Sequence, residues 1–179
     1  FENEPVTCIA LGGDHDLKRD KLYVSAGQKV VGISKKGKNF FEMSSSLTEK
    51  INLIHTINTQ IWTSCEYICN TYDNGKDKYF YMSLDKINFM CVGNVINDNM
   101  YDAVLACQDS CVRIVHSGDI ILDIPTTAPV RCVGLAPKNI LKANEPTCPY
   151  IIIGTDGGDL TLIHIKTKRN KVIKNKNKN

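Results

Sequence analysis

The chain has 179 residues, 42% of them hydrophobic and 23% charged, which is enough for a core and a charged surface in one ordinary domain. No apolar run approaches the ~18 residues that a membrane-spanning helix needs. The net charge of +3 sits at one end: from residue 166 onward there are seven basic residues and no acid, and the remainder carries −4. A mildly acidic body does not suit a nucleic-acid-binding face. The chain begins at Phe1 and not at Met, which leaves a fragment or a processed chain open.

In chain order, short apolar segments recur with turn residues between them. The first group has strands over residues 6–11, 22–25, 30–33 and 40–43, with Lys36-Gly37-Lys38 joining the last two. The second covers residues 51–57, 61–63, 67–69 and 79–82, with Asn74-Gly75 as its last turn. The third covers residues 87–92, 104–106, 112–115 and 120–124, with Ser117-Gly118 in the same place. The fourth covers residues 130–135, 151–153 and 160–163, and no outer strand is read after it. Aligned on Val24, Trp62, Leu105 and Ile153, the units are spaced by 38, 43 and 48 residues, close to the length of a four-stranded propeller blade.

The expected fold is therefore all-β: a β-propeller of four-stranded antiparallel blades, about three and a half of them, near residues 5–43, 50–82, 86–124 and 129–165. Helix is expected only as one turn at Leu47-Thr48-Glu49-Lys50, and residues 138–147 read as a loop. Residues 166–179 read as a basic Lys/Asn-rich tail without order, or alternatively as an electrostatic arm. An incomplete ring leaves apolar blade faces open, so such a piece is expected to fold poorly by itself.

Reactive constellations are hard to find. The histidines His15, His55, His116 and His164 fall in different places along the repeat, and no GxSxG, HExxH or P-loop occurs. The run from Gly154 to Gly158 joins two strands, whereas a dinucleotide fingerprint needs a strand-to-helix turn. Asp14-His15-Asp16, with Asp20 after it, is reminiscent of a calcium loop but lacks the bending glycine, so it reads as a solvated loop. The eight cysteines show no CxxC and no zinc spacing and mostly sit in apolar strands, which suggests buried, reduced thiols sharing no metal. Lys35, Lys36 and Lys38 form a basic hairpin tip, either a solvated surface or a docking patch for an acidic partner. With Tyr79 and Tyr81 they are the candidate partner-binding residues. No catalytic, cofactor or metal residue is assigned.

Several blocks carry a family resemblance: LYVSAGQKVVGISKKGKNF, LTEKI, YICNTY, KDKYFYMSLDKIN, VLACQDSCVRIV and IIIGTDGGDLTLIHI. In order and spacing they resemble the propeller of the Bardet–Biedl syndrome protein 7 family. That resemblance implies an N-terminal seven-bladed propeller in a non-catalytic subunit of the BBSome, a coat-like complex that carries membrane proteins to and from cilia. It further implies a paired propeller-containing subunit, an Arf-like small GTPase and ciliary membrane cargo as direct or indirect partners. Location is then the cilium, basal body and cytoplasm, with membrane contact only through the complex and no nucleic acid. A scaffold of another vesicle coat or of intraflagellar transport is the competing expectation. An enzyme or lectin built on the central channel is a third, and it needs converging carboxylates, histidines or a metal.

Overall fold

The computed structural model describes residues 4–12, 21–96, 100–136, 150–165 and 169–173. Among them every regular element is a β-strand, and the strands form four antiparallel sheets of four strands each. The expected loop at residues 138–147 and the Asp14-His15-Asp16 segment lie outside the described residues. The chain divides into two compact units, residues 1–84 and 85–179.

In the first unit, β1 (Val6–Gly12), β2 (Lys21–Ala26), β3 (Lys29–Ser34) and β4 (Asn39–Ser44) form one sheet. The other consists of β5 (Leu53–Ile57), β6 (Gln60–Ser64), β7 (Ile68–Asp73) and β8 (Lys76–Met82). Each strand pairs with its neighbour in sequence, because short turns allow only antiparallel return. The β7–β8 turn shows the local cause. Asn74 and Gly75 both have positive φ, 49° and 77°, the backbone that a tight primed hairpin requires. Tyr23, Val30 and Met43 of the first sheet pack with Ile54, Ile61, Ile68 and Tyr72 of the second. Burial of each such side chain stabilises the fold by about 1.5–3 kcal/mol.

The helical turn expected at residues 47–50 is absent; residues 46–49 are bends. Hydrogen bonds to the β2–β3 turn hold the link instead. Ser45 and Ile51 donate their backbone N–H to the carbonyls of Gln28 and Gly27, both at 2.8 Å. The Gln28 side-chain amide donates to the Thr48 carbonyl at 2.9 Å, and the Leu47 N–H donates to Ser45 Oγ at 3.1 Å. These bonds consume the backbone groups that a helical turn would use.

In the second unit, β9 (Ile87–Gly93), β10 (Asp102–Cys107), β11 (Cys111–His116) and β12 (Asp119–Pro125) form the third sheet. The fourth is β13 (Val130–Leu135), β14 (Tyr150–Thr155), β15 (Leu160–His164) and β16 (Arg169–Ile173). All six residues of β10 are buried, as suits a strand covered on both faces. Val104, Val112, Ile114, Val130, Ile151, Ile153 and Ile163 form the core shared by these two sheets.

β16 corrects two expectations. It lies in the segment assigned to a tail without order, and it gives the fourth sheet the outer strand that the sequence was not expected to supply. An open edge of β15 presents unpaired backbone N–H and C=O groups, and the following segment satisfies them despite its lysine-rich composition.

Candidate interaction surface

The basic tip is a closed turn between β3 and β4. Ser34 N–H donates to the Lys38 carbonyl at 2.9 Å and Gly37 N–H to the Ser34 carbonyl at 2.8 Å. Ser34 Oγ donates to the same Lys38 carbonyl at 3.0 Å and accepts the Lys38 N–H at 3.2 Å. With its backbone groups satisfied, the turn projects its side chains outward. Lys35, Lys36 and Lys38 are all exposed. None of the three has an ion-pair partner among the described residues.

Beside the tip lies Lys21, whose backbone position pairs with Ser34. Its ammonium sits 5.3 Å from the centroid of the Phe40 ring, within cation–π range. Phe40 meets Tyr23 edge-on at 5.6 Å between centroids. Neither Lys21 nor Phe40 belongs to the set expected from sequence. The signal was present in the Lys21–Ser34 pairing, which becomes visible only once the hairpin register is known.

The two tyrosines separate. Tyr79 on β8 is 39% exposed, with the Lys78 ammonium 5.5 Å from its ring centroid. Tyr81 is 7% exposed and belongs to the core, so it offers little surface to a partner and leaves the candidate set. It pairs with buried Cys69, and opposite residues share a sheet face. The tip and the tyrosines lie on different sheets.

Among the described residues, Asp102, His116, Arg113 and Asp109 engage one another and the backbone. Asp102 Oδ2 accepts the N–H groups of Val95 at 3.2 Å and Ile96 at 3.0 Å, while Oδ1 lies 3.0 Å from His116 Nδ1. Arg113 binds Asp109 through both terminal nitrogens and approaches Asp123 at 3.7 Å. The hydrogen bond to Asp109 raises the guanidinium pKa above its ordinary value against the opposing effect of burial. His55, His116 and His164 lie on three different sheets. No group of three or more His, Cys, Asp or Glu side chains able to hold a metal occurs among the described residues. An open hollow of about 570 Å³ lies against the first sheet, edged by Lys29, Glu42, Lys50 and Glu4. Its charges pair with each other, Lys50 with Glu4 at 3.0 Å and Lys29 with Glu42 at 3.7 Å.

No described cysteine is in a disulfide. Cys65, Cys69 and Cys107 are buried, but Cys8, Cys91 and Cys111 are half-buried and Cys132 is exposed. The expectation that most thiols are buried is therefore corrected for this set, and Cys148 lies outside the described residues. Burial first, and then the charge of Glu49, pushes the Cys65 thiol up to about 12.

Comparison with known proteins gives the same fold and names a family. The chain is 30% identical over 166 residues to the mouse (Mus musculus) "BBSome complex member BBS7", covering 93% of this chain and 23% of the relative. It is 23% identical over 173 residues to the Caenorhabditis elegans "BBSome complex member bbs-7", covering 94% of this chain and 23% of the relative. The chain thus spans under a quarter of either relative's length. Among solved structures, BBS1N in complex with ARL6DN matches with a TM-score of 0.75 at 8% identity, over 96% of this chain and 56% of that one. The family model described as the BBS7 beta-propeller matches residues 1–179, and the chain belongs to that family.

Proposed function

We propose that this chain is propeller structure of a BBSome subunit that serves as a non-catalytic binding scaffold in the traffic of membrane proteins to and from cilia. The observation that carries this reading is the family match over the whole chain. The structure supports it physically. The strands build stiff sheets whose turns are closed by their own hydrogen bonds, and the side chains left outside are suited to contact and not to chemistry. The carboxylate oxygens of Asp102 are committed to two backbone amides and to His116, which describes a structural network.

The partners are other BBSome subunits, above all one bearing a paired propeller. A small GTPase acts on the assembled complex; the fold neighbour BBS1N, solved with ARL6DN, supports that element. The protein works at the cilium, the basal body and in the cytoplasm, and reaches membranes through the complex. The test is affinity purification of the full-length protein from ciliated cells. BBSome subunits should be recovered in comparable amounts. Recovery of vesicle-coat or intraflagellar-transport subunits in their place would move the assignment to the competing scaffold.

A further inference from the structure

We propose that the β3–β4 tip, together with Lys21, is a docking surface for an acidic, extended segment of a partner protein. It rests on the scaffold reading only in assuming that the tip meets another chain. Four exposed lysines lie at one end of one sheet: Lys35, Lys36 and Lys38 on the turn, and Lys21 opposite Ser34. The surrounding sequence does not cancel them, since residues 13–38 carry seven basic and three acidic side chains. Like charges held together repel one another, and an incoming polyanionic chain relieves that repulsion.

Two features make the tip a built surface and not a loose charge run. The turn is fixed by the Ser34–Lys38 hydrogen bonds, so the spacing of the lysine Cα atoms is set before any partner arrives. Lys21 is held over the Phe40 ring, and its backbone pairs with Ser34 at the base of the turn. Space around the turn is open, with no atom within 4 Å of a Cβ placed on Gly37.

The same geometry favours a peptide over a lipid surface. Lipid insertion at a hairpin tip needs a projecting apolar side chain. Phe40 instead lies across the backbone, its Cζ 2.7 Å from where a Cβ on Gly32 would be, and is capped by Lys21. An extended acidic segment can place successive carboxylates against the lysines, with an apolar side chain against the exposed part of Phe40.

The experiment uses the full-length protein in its purified complex, as wild type and as Lys35→Gln, Lys36→Gln, Lys38→Gln combined. The probe is a fluorescein-labelled peptide of alternating Glu and Gly, with a Gln/Gly peptide as control, read by fluorescence anisotropy. Binding of the acidic probe should be saturable, weaken about tenfold in the triple variant, and weaken as salt rises from about 50 to about 200 mM. Vesicles of phosphatidylcholine and phosphatidylserine should show no capture that depends on these lysines. Equal probe binding by wild type and variant, equal binding of the Gln/Gly control, or lysine-dependent vesicle capture would each overturn the proposal. Recovery of subunits by the wild-type protein is scored separately. Failed assembly there counts against the scaffold function, and unchanged probe binding counts against the tip.

Discussion

At Arg113 a guanidinium with 5% of its side chain exposed bridges Asp109 and approaches Asp123. Removing one partner of such a pair strands the other charges at the edge of a core. Arg113→Ala is therefore expected to destabilise the protein by about 2–4 kcal/mol, discounted because Asp109 and Asp123 remain partly wet. The urea midpoint of unfolding reads this, and an unchanged midpoint would show that the network carries no stability. The thiols give a second prediction. Cys65 titrates near 12 against an ordinary 9.0, so the folded state holds its proton more tightly than the unfolded chain does. The stability this contributes is complete below about pH 9 and is lost as pH rises toward about 12. At pH 8, alkylation in the native protein should therefore reach exposed Cys132 well before buried Cys65. Site-resolved mass spectrometry decides this, and equal rates would contradict it. Residue-level burial was the least legible feature in the sequence. Cys132 sits in an apolar-looking strand, but an irregularity between Val130 and Cys132 interrupts the alternation of β13, leaving Arg131 and Cys132 both exposed and Val133 buried. Tyr81 and Tyr79 share one strand, and packing at the sheet edge decides which of them is covered.

At the scale of elements, turn chemistry made the hairpins readable. Asn74-Gly75 adopts the positive φ values that its sequence favours, and Ser117-Gly118 adopts the same turn with Gly118 as its permissive residue. Gly75→Ala should cost about 1–2 kcal/mol, from the φ of 77° and from a Cβ meeting the Phe41 ring at 3.2 Å. Thermal unfolding checks this, and a neutral result would mean that the turn relaxes freely. Two elements were misread for physical reasons. Residues 47–50 have helix-compatible composition, yet bonds from the distant Gly27-Gln28 turn decide their path. β16 has the composition of a solvated tail, yet the open edge of β15 gives it pairing partners. Both are tertiary effects that local composition does not carry.

At the scale of the whole molecule, an all-β architecture was legible from the recurrence of strands, and the family from its sequence blocks. The interaction surface was legible only as three lysines; its remaining parts needed the register. The outer strands and loops of these sheets leave large apolar side chains in water. On β1, Ile9 is 61% and Leu11 is 58% exposed, opposite Val24 and Leu22. The 179-residue chain by itself is expected to self-associate through such surface, and Ile9→Lys with Leu11→Lys to reduce that association. Light scattering at matched concentration reports this, and a monomeric wild-type chain would refute it. The central claim is that these sheets exist to be contacted by other subunits. Cryo-electron microscopy of the complex purified through the full-length protein tests it most directly. The expected map shows the four four-stranded sheets with other chains of the complex seated on their exposed turns and edge strands. A map in which those sheets touch no other subunit would contradict the claim.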